Sequence, residues 1–430
     1  MPHRSSRRRF LQQSAFAGLS VWVSTRPARA AKSPNEKLDI GVIGVSNRGA
    51  ANLSGVASQN LVALCDVDDR YLDVAMKKDA PKAQRFNDFR RMLDQVKNLD
   101  AIVVSAADHC HAPATVRALR LGKHVYCEKP LTHTVAEARL VATEAAKAKR
   151  ATQLGTQIHA GDNYRRVVEV IRSGAIGPVR RVHVFVTSRY GLSPAIDKAM
   201  EPPPAFHWDL WLGPAPQQPY KPFYHPQQWR HFWDFGGGTL ADFGCHHLDL
   251  SFWALDLLHP TTVEAHGPDP DPVHPPDELT VDYHFPARGE QPPVQITWSQ
   301  GIKRPSTWDE LGAPKWGNGT LFVGDKGLLI ADYGRYQLLP KDKFGGFQPP
   351  PQSIPKSIGH HEEWIKACKE GTPTLCHFGY GGALTETALL GNVAHRAGNK
   401  KLDWDARRLT TNDATANSFL TREYRKGWEL

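Results

Sequence analysis

From Leu38 onward the chain alternates short apolar runs with amphipathic stretches. The runs "LDIGVIGV", "LVALCDVD", "DAIVVSAAD" and "GKHVYCEKP" are nearly continuous in apolar positions, and helical periodicity falls at 49–58, 68–78, 88–97 and 112–121 between them. A further helix is predicted from Val135 to Ala148. Strands that are apolar on both faces and alternate with helices form a doubly wound parallel sheet. After Gln157 the rhythm changes. One helix, Tyr164 to Ser173, precedes "VRRVHVFVT", and then "ELTVDYHF", "PVQITWS", "GTLFVG", "GLLIAD" and "RYQLL" follow, joined by Gly and Pro turns. Several of these alternate apolar with polar, which predicts an open, mostly antiparallel sheet with one wet face. An aromatic stretch, His207 to Asp256, lies between them, and 359–397 is helical again. The pattern therefore predicts an α/β domain at 37–156 and an α+β domain at 157–430, with no internal repeat.

The first 31 residues fit neither domain. They hold six arginines (4, 7, 8, 9, 26 and 29) and no acid, so removing them lowers the formal net charge from +9 to +3. The basic balance that would point to nucleic acid mostly disappears with them, and no nucleic-acid partner is expected. The stretch from Phe10 to Val23 is interrupted by Gln12, Gln13 and Ser14 and is shorter than the ~20 apolar residues a bilayer span needs. It reads as the apolar core of a signal peptide, cut after the "ARA" that ends at Ala30, and no stable membrane insertion is expected. A general secretory signal needs only a basic start. The Arg7-Arg8 pair followed by Phe10-Leu11, and the weak apolar core, favour the twin-arginine machinery as partner and the periplasm as destination.

Six cysteines (65, 110, 127, 245, 368 and 376) contain no Cys-x-x-Cys, so no metal site is expected. Cys65 and Cys127 end apolar runs, where cysteine is a small buried hydrophobe. Cys368 and Cys376 are near enough in sequence to pair in an oxidising compartment.

"GVIGVSNRG" places Gly44, Ser46 and Gly49 at the three positions of G-x-G-x-x-G, with Asn47 and Arg48 in the same loop. The first glycine allows the tight turn, the second close approach to a pyrophosphate, and the third helix–strand packing. Serine at the second position weakens the fingerprint. Its setting, after a strand and before a helix, strengthens it. Asp66 closes the second strand 22 residues after Gly44, where an acid grips the adenosine ribose and repels a 2′-phosphate, so NAD is expected over NADP. Asp66 also suits a helix N-cap.

With "GKHVYCEKPLT" the chain resembles the Gfo/Idh/MocA oxidoreductases, the family of glucose–fructose oxidoreductase and inositol dehydrogenase. Glu128-Lys129-Pro130 matches its E-K-P, and "QLGTQIHAGDNYRRVVEVIRSGAIGPVRRVHV" its crossover segment. "WDLWLGPAPQQPY", "HPQQWRHFWDFGGGTLADFGCHHLDLSFWALD" and "YRKGWEL" look like an exported bacterial branch, so the resemblance spans almost the whole mature chain. It implies a Rossmann domain, an open-sheet second domain, an active site between them, and a homodimer or homotetramer built through exposed sheet faces. It adds Ser105, His111, Glu128 and Lys129 to the cofactor-binding set. The chain departs from the family at Ser46 and at "SAADHCH", where Ala107 takes the slot of a proline.

Asp242 and His246 are four apart, hence on one face of a helix, with Asp249 seven after Asp242 on the same face. The resemblance sets them beside a substrate hydroxyl, with Lys129 opposite. A histidine titrating near neutrality suits a general base, so His246 is expected as base, Asp242 as its orienting or substrate-binding carboxylate, and Lys129 as the group that stabilises alkoxide charge. By spacing alone the pair also suits a structural hydrogen bond or a metal. His247 points away, and His360-His361 begins a helix as a cap or as an edge of the cleft. Trp208, Trp211, Tyr220, Tyr224, Trp229 and Trp233 suit a sugar or polyol, and equally suit a core. An exported enzyme has no NAD pool, so the cofactor is expected to be tightly bound and re-oxidised in place. Both a sugar oxidoreductase and a redox-neutral glycosidase meet that expectation, but such glycosidases carry a tyrosine-containing motif where this chain has "LADFGCHH", so an NAD(P)-dependent oxidoreductase acting on CH–OH groups is expected first. A redox-neutral NAD-dependent glycoside hydrolase or lyase, and a non-catalytic sugar-binding protein, remain as alternatives.

Overall fold

The computed structural model describes residues 36–191 and 198–430, and the expected signal at 1–31 lies outside them. The first sheet contains β1 (Asp39–Ile43), β2 (Asn60–Cys65), β3 (Gln84–Phe86), β4 (Ala101–Val104), β5 (His124–Glu128) and β6 (Thr152–Gly155). Its order is β3-β2-β1-β4-β5-β6, all parallel. The order reverses between β1 and β4, which opens a crevice at the carboxyl ends of the strands. The two edge strands carry no apolar run: β3 is "QRF", largely exposed, and β6 is "TQLG". Helices start where side chains cap them. Asp68 caps Asp69–Lys78, Asp88 caps Phe89–Gln95, and Thr134 with Glu137 forms a capping box on Val135–Ala148.

One face of this sheet is completed from far along the chain. Leu38, Ile40, Val42 and Leu53 pack with Trp364 and Ile365 of the helix His360–Glu370. The helix His360–Glu370 therefore does not stay with the second sheet but returns to cover the first.

The second sheet contains β7 (Val179–Val186), β8 (Thr262–His266), β9 (Leu279–Phe285), β10 (Val294–Gln300), β11 (Gly319–Gly324), β12 (Gly327–Ala331), β13 (Tyr336–Leu339), β14 (Lys401–Asp405) and β15 (Thr410–Thr411). Its order is β13-β12-β11-β7-β10-β9-β8-β14-β15, and β7 and β10 form its parallel pair. Val182, Val184, Val281, Tyr283, Ile296 and Trp298 face a core shared with the helices Gly238–Leu255 and Phe378–Arg396. The opposite face is wet only in part. Arg181 is exposed and His183 and Asp282 are half-buried, but Trp308 lies fully buried on Phe185, Leu321, Ile330 and Leu339. All six cysteines are buried and free, Cys368 and Cys376 included. Among the described residues no helix is long and apolar enough to cross a membrane.

Candidate active site

β1 ends at Ile43 and the chain turns at Gly44 with φ +80°. A Cβ there would stand 2.5 Å from the Ser105 carbonyl oxygen, and one at Gly49 2.2 Å from that of Gly44. These two positions therefore require glycine. Ser46 lies in the cleft wall, where its Oγ accepts from Asn47 Nδ2 at 3.0 Å. Asn47 sits at φ +50°, a conformation asparagine tolerates better than most side chains. The helix Arg48–Gly55 begins without a side-chain cap; its Gly49 amide bonds the Ser46 carbonyl at 2.8 Å, and its start at Asn47 and Arg48 lines the cleft, where a helix N-terminus suits a pyrophosphate.

Asp66 closes β2 and also lines the cleft. Its Oδ2 accepts from the Val45 amide at 2.9 Å and its Oδ1 from the Asp68 amide at 3.0 Å. Asp68, not Asp66, caps the next helix and pairs with Arg70. Burial pushes the Asp66 carboxyl up to about 6, against the pull of those amides.

Ser105, His111 and Glu128 border the cleft, but protein partners hold them. Ser105 Oγ and Glu128 Oε1 both accept from Asn52 Nδ2, at 2.8 and 2.9 Å, and Gln157 Nε2 reaches Glu128 at 2.7 Å. His111 has both ring nitrogens on carbonyl oxygens, Pro130 at 2.7 Å and Ala106 at 2.9 Å. Its ring ties the loop after β4 to the E-K-P turn, and it has no nitrogen left for a ligand. This corrects the expectation of direct cofactor binding by His111.

At the other end of the cleft Lys129 Nζ donates to Asp242 Oδ1 at 2.6 Å and to the Asp242 carbonyl at 2.8 Å. Arg230 Nε donates to the same Oδ1 at 2.9 Å. Burial opposes ionisation of Asp242, but Lys129 and Arg230 overcome it and hold the carboxyl well below the usual carboxylate range. Asp242 therefore orients Lys129, not His246, because the histidine has another partner. Thr156 Oγ1 donates its one proton to the Cys245 carbonyl at 2.9 Å. The 3.0 Å contact between Thr156 Oγ1 and His246 Nδ1 must then be donated by Nδ1–H. This fixes the tautomer and leaves Nε2 as an acceptor. The expected titration near neutrality does not hold either. Burial, then the charge of Lys129, push His246 well below its ordinary value and keep it neutral.

Asp249 is not in the cleft. It is buried, paired with His159 at 2.9 Å and bonded by the Tyr380 hydroxyl at 2.6 Å. With Cys376 it forms a close group of metal-ligand types, its histidine and carboxylate already hydrogen-bonded to each other. His247 is buried against the Tyr333 hydroxyl at 3.0 Å, His360 meets the Leu154 carbonyl, and His361 reaches Asn52 across the first-domain surface.

The part of the aromatic stretch before the helix Gly238–Leu255, residues 205–235, forms a strap over the cleft. Its backbone pairs with the first domain, His207 N to Val67 O at 2.8 Å and Asp69 N to Ala205 O at 2.9 Å. His225 stacks on Phe206 and stands 3.4 Å from Asp68, and Gln227 reaches Asn47 in the phosphate loop. Trp208, Trp211, Tyr220, Tyr224, Trp229 and Trp233 are all buried, and of the six only Trp211 and Trp229 line the cleft. Most of these aromatics are thus packing within the strap, not a sugar platform. Arg230, Thr156, Asp108, Tyr190 and Trp428 complete the site and were not singled out from sequence. They come from five separate segments, and no local pattern marks them.

The cleft holds about 660 Å³. The reversed strand order, the glycine turn and the strand-end acid define a dinucleotide-binding domain, and the residues present fit NAD. The second domain brings charged groups to the far end of the same cleft, the architecture of a two-domain oxidoreductase. Residues 38–156 match the model of an oxidoreductase family with an NAD-binding Rossmann fold, and residues 167–284 match that family's C-terminal alpha/beta domain. The chain belongs to the Gfo/Idh/MocA family. It is similar to inositol 2-dehydrogenase of Salmonella typhimurium, with 30% identity over 151 residues, 34% of this chain and 45% of the relative. A glycosyl hydrolase family 109 protein of Solibacter usitatus is 32% identical over 194 residues, 40% of this chain and 44% of the relative. The chain thus spans about half the length of the curated relatives it matches. Among solved structures, the WlbA dehydrogenase from Bordetella pertussis, in complex with NADH and UDP-GlcNAcA, shares the fold at a TM-score of 0.62 and 16% identity, covering 86% of this chain and 99% of that one.

Proposed function

We propose that the protein oxidises or reduces a CH–OH carbon of a sugar or polyol, using an NAD that stays bound between turnovers. The observation that carries this reading is the convergence of Lys129 Nζ, clamped by Asp242, and the acceptor Nε2 of His246 at one end of a cleft whose other end is the Gly44–Gly49 turn and Asp66. NAD, when bound, supplies the hydride acceptor. Lys129 binds the substrate oxygen and stabilises its developing negative charge. His246 Nε2 takes the hydroxyl proton, and Thr156 receives the Nδ1–H that sets the ring. A weakly basic histidine suffices, because a hydroxyl becomes strongly acidic as its carbon loses hydride. Inositol, a polyol, is the substrate favoured by the named activity of the dehydrogenase relative.

Tight cofactor binding is supported by the strap, which crosses the cleft and bonds to both of its rims. The twin-arginine motif supports export of the folded, loaded protein to the periplasm, and the partly wet sheet face supports a homodimer or homotetramer. The hydrolase relative favours a second reading, in which the same bound NAD is reduced and re-oxidised within one glycoside-cleaving cycle. The test is direct. Protein purified from the periplasm is denatured and the released nucleotide identified by mass spectrometry, and the native protein is screened with polyols and sugars for nicotinamide absorbance. Release of NAD and its reduction by a polyol are the expected results. Protein isolated without nucleotide defeats the tight-binding reading. NAD present but reduced by no polyol or sugar defeats the net oxidoreductase.

A further inference from the structure

Asp108 follows β4 at the crevice between the two halves of the first sheet, 3% exposed, with its carboxyl on the cleft. Among the described residues that carboxyl makes no hydrogen bond and no ion pair. A buried polar group without a partner is uncommon, and at a ligand cleft it points to the ligand. The neighbouring groups are already committed. Asp242 is held by Lys129 and Arg230, Glu128 by Asn52 and Gln157, and His111 by two carbonyls. The charges that act on Asp108 are those of Arg230, Asp242, Lys129 and Glu128, which places it at the reacting end of the cleft.

We propose that Asp108 is a substrate-binding residue that holds the hydroxyl next to the one that reacts, so that the protein selects vicinal diols over isolated alcohols. This rests on the oxidoreductase reading above and narrows its substrate class. Burial pushes the Asp108 carboxyl up to about 8, so at neutral pH it is a neutral acid with one donor and one acceptor. A hydroxyl matches both. Lys129 and His246 take the reacting oxygen, and Asp108 takes its neighbour, which fixes the carbon presented for hydride transfer.

The test compares Asp108→Ala and Asp108→Asn with the parent, each as NAD-loaded mature protein. Myo-inositol and D-glucose are the first probes, followed by the monodeoxy analogues of whichever reduces the bound nicotinamide. Asp108→Ala should lower kcat/KM for the polyol about 10–100-fold, while one deoxy analogue, already poor with the parent, should lose nothing further. Asp108→Asn should recover most of the loss, and bound NAD content should be unchanged in all three proteins. Equal losses on polyol and every deoxy analogue, loss of NAD from Asp108→Ala, or no loss at all would each overturn the proposal. If neither probe reduces the nicotinamide in the parent, the oxidoreductase reading is what suffers. Asp108 is then judged by quenching of the cleft tryptophans Trp211 and Trp229 as the same polyols are titrated. Weaker binding by Asp108→Ala supports the proposal, and equal binding, or none by the parent, rejects it.

Discussion

Lys129 and His246 stand out in sequence because their neighbours form motifs, but their partners do not. Thr156 lies 90 residues before His246, and its role depends on one hydroxyl proton spent on the Cys245 carbonyl. Thr156→Val should leave the fold and bound NAD intact and lower the single-turnover rate of nicotinamide reduction about 10–100-fold, because the His246 tautomer is no longer fixed. Thr156→Ser should restore most of the rate, which a purely packing role would not explain. Lys129→Met and His246→Ala should each cost about 10²–10⁴-fold in turnover while NAD stays bound, since neither touches the glycine turn. A variant that reduces bound NAD as fast as the parent removes that residue from the site. At Asp66 the sign of the pH effect follows from a carboxyl raised to about 6 by burial. A ribose hydroxyl donates to the ionised form, so NAD affinity should weaken about tenfold as pH falls through that value. Titrations from pH 8 to 5 check this, and Asp66→Asn should flatten the profile and relax discrimination against NADP.

At the scale of elements, two pieces build the cleft. The helix Gly238–Leu255 carries Asp242 and His246 on one face, as the four-residue spacing requires, while Asp249 one turn further is drawn into the core by His159 and Tyr380. The strap supplies the other wall. Periodicity is silent about it because its aromatics pack on one another and follow neither a helix nor a strand. Since it bonds to Val67, Asp69 and Asn47 and sets His225 beside Asp68, it should set how slowly NAD leaves. His225→Ala combined with Gln227→Ala should speed nucleotide release at least ~10-fold in a dilution-and-chase experiment and leave circular dichroism unchanged. Release as slow as in the parent would mean that the cofactor is not held by the strap.

For the whole molecule, the mature chain must fold, close its strap and keep its NAD before crossing a membrane if the export reading is right. Changing Arg7 and Arg8 together to lysine should then leave unprocessed protein in the cytoplasm, with periplasmic activity falling to background. Normal processing of the double variant would reject the twin-arginine route. The sequence by itself determined the parallel and antiparallel sheets, the glycine turn, the strand-end acid and the shared helix face of Asp242 and His246. All of these are local: apolar runs, turn geometry and one helical repeat encode them within a few dozen residues. It did not reveal β3, which is short and largely exposed, β6, which is buried but only four residues long and half polar, or β8 and β14, which are short and polar on alternate positions. Only the tertiary structure decided that Asp242 serves Lys129, that Thr156 sets His246, that the helix His360–Glu370 covers the first sheet, and that Asp108 is left without a partner. Each of these depends on which groups meet across distant stretches of chain, 90 residues for Thr156 and His246 and 113 for Lys129 and Asp242, where hydrogen-bond capacity is allotted by proximity in space and leaves no trace in local spacing.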